Sequence, residues 1–198
     1  VRKGVTVGVV GDGPLALLAF LGTTLLEGQT RFEPPTELAD DDAFRALVAP
    51  VAELDDYNLP RGAQRVGYGD KPDAPDVHHF DAGVWTENPS FPPLSIDPGT
   101  AILTDGEQTV THEQVLDAAR EVVDAVGLEA DDRVVVRAPL SDPRAVAAGA
   151  IAPLLARGVM VLPNGDEKPT EQGTYAVASE TASVPEPNRI ALGSVTLQ

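Results

Sequence analysis

The chain has 198 residues, 14 Lys and Arg against 31 Asp and Glu, a formal net charge of −17, and no cysteine. Without cysteine there is no disulfide framework, no thiol nucleophile and no thiolate-bound metal or iron–sulfur cluster. The carboxylate excess excludes a broad phosphate-binding face for nucleic acid or for an anionic membrane.

No apolar run approaches the roughly 18 residues that a bilayer-spanning helix needs. No charged-then-apolar leader opens the sequence, so a cytoplasmic protein is expected. A chain of this length buries roughly 70% of its extended surface and needs no staple to hold a core. Lysine occurs only at Lys3, Lys71 and Lys168, aromatic residues make up 5%, and small Ala and Val are abundant. Together with the charge, this points to a cell that keeps molar salt inside. There the Debye length falls to about 3 Å and acidic self-repulsion is screened.

Residues 5–10 form a short apolar β run bounded by Gly11-Asp12-Gly13. Pro14 sits where a first helical turn tolerates it. Residues 15–26 are almost wholly apolar, which predicts a buried or sandwiched helix with Gly28 as its left-handed stop. Residues 31–33 predict a second strand, stopped by Pro34-Pro35. Residues 40–49 predict a short helix with an acidic start and an inner face of Phe44, Leu47, Val48 and Val51, limited by Pro50. Over residues 55–98 the pattern dissolves into Pro, Gly, Asp and Asn, with Val66-Gly67-Tyr68 as one candidate strand; this reads as an irregular connection.

Residues 101–104 predict a strand that Asp105-Gly106 turns, so that Thr109-Val110 can pair back. Thr111 and Gln114 form a capping box for a helix over 113–126. Its apolar stripe is Val115, Leu116, Ala119, Val122, Val123 and Val126, and Gly127 ends it. Residues 133–137 predict a strand. Asp142-Pro143 opens a helix through Ala156, closed by Gly158, and residues 159–162 predict a buried strand. Residues 163–173 read as a loop, and 175–178 and 190–197 as closing strands. The stretches 5–35 and 133–163 share one layout: strand, loop, proline, apolar helix, glycine, strand, proline. The likeness is either a structural repeat or the resemblance any two crossovers share. Alternating strands and apolar helices predict an α/β fold: a mostly parallel sheet built from two β-α-β crossover units covered by helices, in a single domain over 1–198.

Three groups could carry chemistry. Gly11-x-Gly13-x-x-Ala16 follows a strand and opens a helix, with Glu33 near the end of the next strand. That is the spacing of a dinucleotide fingerprint, in which glycines admit a pyrophosphate and the acid holds a ribose hydroxyl; it is also the spacing of a plain tight turn. Asp76-x-His78-His79-x-Asp81 offers metal-ligand atoms but lies in a Pro-rich surface stretch. His112, in a first helical turn, suits a polar or capping role better than general-base catalysis. No Gly-x-Ser-x-Gly elbow and no lysine after a Gly-rich loop is present.

The order Ala101-Ile102-Leu103-Thr104, Val110-Thr111-His112, Val126-Gly127-Leu128, Asp132 to Val136, Ala138-Pro139-Leu140 and Ala152 to Pro163 resembles the adenylate-forming enzymes, the acyl-CoA synthetases and their relatives. It is similar to the stretch around and after their phosphate loop. Residues 5–35, with Leu18-Ala19-Phe20-Leu21-Gly22 and Gly28, are similar to the strand–helix–strand before that loop. The resemblance covers about 160 residues and implies the fold of part of the N-terminal domain of acyl-CoA synthetases.

The departures from that family matter equally. Its loop is rich in Ser, Thr and Gly and ends in Pro-Lys-Gly; here the stretch is Thr104-Asp105-Gly106-Glu107-Gln108, with two acids and no lysine. Only Thr104, Gly106, Thr111 and His112 carry over as a degenerate phosphate-loop site. The family's later adenine and ribose motifs and its small domain with the catalytic lysine have no counterpart in this sequence. The resemblance therefore implies a truncated, degenerate, non-catalytic relative with no cation at the loop. It would bind a small ligand (nucleotide, acyl group or CoA fragment), serve as an interaction module, or be a subunit completed by a separate protein. The alternative is a dinucleotide enzyme using Gly11 and Gly13. No nucleic-acid partner, membrane partner or metal is implied; cofactor and oligomeric state are not indicated.

Overall fold

The computed structural model describes residues 4–86, 96–163 and 172–198. The chain divides into two compact units, Val1–Gly11 with Leu15–Thr109, and Asp12–Pro14 with Val110–Gln198.

The first unit is built on a seven-stranded sheet. Its central strand β1 (Thr6–Val9) pairs in parallel with β2 (Gln29–Phe32) on one side and β3 (Phe44–Pro50) on the other. Beyond β3 lie β4 (Gln64–Tyr68) and β5 (Val77–His79); beyond β2 lie β6 (Ala101–Thr104) and β7 (Thr109–Thr111). The strand order is β5-β4-β3-β1-β2-β6-β7. Gly8 is what lets β1 take its central place. A Cβ there would lie 2.5 Å from the ring of Phe44 and 2.9 Å from Pro34, and Phe44 is fully buried.

Within residues 40–49 the structure has the strand β3 from Phe44 on, not the predicted helix. Phe44, Ala46, Leu47, Val48 and Ala49 are all buried. A strand covered on both faces is a continuous apolar run with no period of two, and this one imitates a helical face. The acids before it make a turn: the Asp41 carboxylate accepts from the Ala43 N–H at 3.0 Å. The stretch expected to be irregular holds β4, β5 and the helix α2 (Phe80–Thr86), followed by residues 87–95, which lie outside the described residues.

The helix α1 (Pro14–Leu25) buries Ala16, Leu17, Ala19, Phe20 and Thr23. It is not sandwiched as predicted: Leu18 and Leu25 on its outer side are 44% and 40% exposed, and Leu26 just beyond it is 53% exposed.

The second unit has a four-stranded sheet in the order β11-β10-β8-β9, all parallel. Its strands are β8 (Arg133–Val136), β9 (Val159–Val161), β10 (Tyr175–Ala178) and β11 (Asn188–Ala191). The first unit's β4-β3-β1-β2 has the same order and the same parallel sense, so the echo read in the sequence is a repeat of topology. The agreement reaches single bonds. The N–H after the central strand donates to a valine carbonyl of the neighbour at 2.9 Å in each: Val10 to Val48, and Arg137 to Val177. The strand predicted at 159–162 is an edge strand with Val159 43% exposed, not a buried one. Of the loop read at 163–173, residues 164–171 lie outside the described residues.

The helix α3 (His112–Val126) carries the predicted capping box, with Gly127 left-handed at its end. The other helical stretch of this unit runs as α4 (Pro143–Ala145), a π-helical turn (Val146–Ile151) and α5 (Ala152–Ala156), opened by the Asp142 side chain on the Arg144 N–H. The widened turn precedes Pro153, which has no N–H to give to the preceding turn and crowds its carbonyl. Gly28 and Gly158 are not the left-handed residues; Glu27 and Arg157 are, at φ 54° and 61°. Each helix closes with the paired bonds of a Schellman motif, Gly28 N–H to Thr23 and Gly158 N–H to Pro153, in which the glycine stands one place past the left-handed residue. Among the described residues, no helix is long and apolar enough to cross a membrane.

Candidate functional site

The connection between β6 and β7 is a closed turn, and its own groups use every amide of the tip. The Asp105 N–H reaches the Gln108 carbonyl at 3.3 Å. The Gly106 N–H donates to Thr104 Oγ1 at 3.0 Å, and that hydroxyl donates to the Gln108 carbonyl at 2.8 Å. The Glu107 and Gln108 N–H groups both donate to Asp105 Oδ1, at 2.9 and 2.7 Å. These two amides, with the nearby Arg31 guanidinium adding to them, hold the Asp105 carboxyl below the ordinary carboxylate range.

Arg31 corrects the expectation that no cation stands at this loop. It comes from β2, and its guanidinium lies flat enough on the turn that a Cβ at Gly106 would be 2.6 Å from Cζ. Gly106 also has φ 99°, so glycine is required there twice over. Sequence reasoning missed Arg31 because nothing local to it marks a partner in the β6–β7 turn.

Thr104 and Gly106 are thus bonded to each other. Thr111 and His112 belong to the second unit, at the start of α3. Thr111 is the N-cap: its N–H donates to Gln114 Oε1 at 2.8 Å and its Oγ1 accepts from the Gln114 N–H at 3.3 Å. His112 is the first residue of that helix and is half-buried.

The Gly11–Gly13 turn is also filled from within. Gly11, at φ 93°, donates its N–H to Glu33 Oε1 at 2.6 Å. The Tyr68 hydroxyl, which donates to the Val10 carbonyl at 2.8 Å, occupies the space a Cβ at Gly11 would need. Glu33 is itself left-handed at φ 47°. In a dinucleotide site the glycine amide would face pyrophosphate and the acid a ribose; here the acid sits on the amide. In the second unit, of which residues 12–14 are part, the Leu140 N–H donates to Asp12 Oδ1 at 2.6 Å.

The histidine stretch does not gather a metal set. His78 and His79 are consecutive on β5, so they project to opposite faces. His78 Nε2 meets Gln64 Oε1 at 3.1 Å, and His79 Nε2 stands 3.8 Å from Asp81 Oδ2, which accepts from the Gly69 N–H. Among the described residues, no group of three or more His, Asp or Glu could hold a metal ion.

A buried ionic contact was not foreseen. Arg137, just past β8, holds Glu186 in a fork, Nε to Oε2 at 2.9 Å and Nη2 to Oε1 at 2.6 Å. The Glu186 side chain is completely buried and that of Arg137 is 14% exposed.

No protein-family profile matches the sequence, and no curated protein matches it. Solved structures do. An anthranilate CoA ligase in complex with anthranoyl-AMP superposes with TM-score 0.70 at 14% identity over 90% of this chain and 40% of its own. The chain has the fold of the N-terminal part of the acyl-CoA ligases. A benzoate CoA ligase from Burkholderia xenovorans gives TM-score 0.70 at 16% identity, over 89% of this chain and 40% of its own. The nonribosomal peptide synthetase FmoA3 gives 0.62 at 20%, over 85% and 18%. The chain thus spans about 40% of the length of the acyl-CoA ligases first among its structural neighbours.

Proposed function

We propose that this chain is an acyl-CoA-ligase-like domain that does not adenylate acids through the β6–β7 loop. The observation that carries the reading is the closure of that loop: four consecutive N–H groups, residues 105–108, are all spent on Thr104, Asp105 and Gln108. A phosphate loop works by presenting free amides and a cation to the triphosphate. Here an incoming phosphate would have to displace an ionised carboxylate from two amides. Arg31 lies close by, but the tip carries Asp105 and Glu107, and its net charge is negative. The same logic weakens the dinucleotide alternative, since the Gly11 amide already carries the Glu33 carboxylate.

What remains for such a domain is binding of a small ligand elsewhere, or association with a separate protein. Its acidic, lysine-poor composition supports residence in a high-salt cytoplasm. The test is pyrophosphate release from ATP and Mg²⁺ in molar KCl, with acetate, benzoate and longer acids in turn. The reading predicts release no faster than the no-enzyme background; sustained, acid-dependent release overturns it.

A further inference from the structure

In an open parallel sheet, ligands bind outside the carboxyl ends of the strands, where the chain crosses to one side of a central strand and then to the other. In the second unit that place lies between β8 and β10: the chain runs from β8 to β9 on one flank, and β10 lies on the other. Arg137 is the first residue past β8, its N–H bonded to Val177 of β10. The equivalent residue of the first unit is buried Val10. The second unit alone therefore puts a guanidinium there.

A carboxylate already fills the place. Glu186 is gripped by the Arg137 fork. It comes from the connection between β10 and β11, residues 179–187. Glu186 is the only buried residue of that connection; the rest are exposed or half-buried. Pro185 and Pro187 flank it and stiffen the backbone on both sides. The connection is a strap whose one buried side chain is this carboxylate, with Arg137 as its receptor; its outer part is held separately, by the Arg189 guanidinium on the Glu180 and Ala182 carbonyls.

We propose that Arg137 forms a binding site for small monocarboxylates, and that Glu186 occupies it as a replaceable internal ligand. Guanidinium with two in-plane donors matches a carboxylate and not a halide, which sets the ligand class. Because Glu186 is tethered, it acts at an effective concentration of millimolar or higher, so the intact protein shows the site only at high carboxylate concentration. The inference does not depend on the reading of the β6–β7 loop, which lies in the other unit.

The experiment compares thermal midpoints of the wild type, Glu186→Ala, and the double variant Arg137→Met with Glu186→Ala, each in sodium formate and in sodium chloride at equal ionic strength. Glu186→Ala should gain roughly 5 °C or more in formate over chloride, with saturation. The wild type and the double variant should show only the small common salt effect. Equal formate responses in all three overturn the proposal. If Glu186→Ala is unfolded in chloride, far-UV circular dichroism in formate becomes the readout. Recovery there that the double variant does not share supports the site, and failure to recover overturns it.

Discussion

At the scale of single residues, three groups make separate predictions. Thr30 is fully buried on β2 and its hydroxyl has no hydrogen-bond partner. A buried, unpaired hydroxyl costs more than the methyl that could replace it, so Thr30→Val should stabilise the protein by about 1 kcal/mol, read by urea unfolding. Gly106 combines positive φ with the guanidinium of Arg31 against its face. Gly106→Ala should cost about 1–2 kcal/mol, from left-handed strain and displacement of Arg31. Glu186 has its carboxyl held below the ordinary range, first by the Arg137 hydrogen bonds. A carboxylate with a depressed folded-state pKa adds stability that is present above the unfolded value and lost as pH falls through the folded one. The midpoint should therefore drop on acidification below the usual glutamate range, and Glu186→Gln should flatten that part of the profile. The sequence singled out Gly106 but showed neither Arg31 against it nor Arg137 on Glu186. Arg31 and Arg137 find their partners across the sheet and not along the chain, and no local pattern marks either position.

At the scale of elements, the helix ends are where local chemistry speaks most clearly. The capping box of Thr111 and Gln114 was legible because both its bonds span three residues, and the left-handed Gly127 because it closes a stripe of strong helical period. Thr111→Ala should remove the cap and cost about 1 kcal/mol. The helices α1 and α5 end on a non-glycine left-handed residue, and Arg157 is the exposed one. Arg157→Gly should relieve the strain and stabilise by about 0.5–1 kcal/mol, by the same urea measurement. The strand β3 was not legible for a reason of packing: apart from exposed Arg45, Phe44 to Ala49 is buried on both faces, so alternation is lost and the spacing satisfies a helix equally well. The outer face of α1 misled in the opposite direction, since an apolar sequence predicted a cover that this structure leaves off Leu18 and Leu25.

At the scale of the whole molecule, charge dominates. Even if every Lys and Arg found a carboxylate, 17 acids would remain unpaired. Exposed pairs such as Arg120 with Asp117 contribute little against that repulsion. Raising KCl from about 0.1 M to about 2 M shortens the Debye length from about 10 Å to below 3 Å, so the thermal midpoint should rise steeply across that range. A midpoint that does not move would remove the argument for a salt-adapted protein. The parallel α/β class and the repeated crossover could be read before any coordinates, because alternating apolar strands and helices have few other solutions. That carboxylates take up the Gly11 and Leu140 amides, Glu33 on the one and Asp12 on the other, could not. Loops of this kind look open in a sequence and are closed only by side chains arriving from elsewhere.

The central claim is that the β6–β7 turn has no amide left for a phosphate. Isotope-labelled protein in molar KCl, titrated with ATP and Mg²⁺, tests it at the atoms concerned. The account predicts that the amide resonances of residues 105–108 stay in place and keep their exchange protection up to millimolar nucleotide. Saturable shifts at those four amides, with loss of the Asp105 bonds, would contradict it.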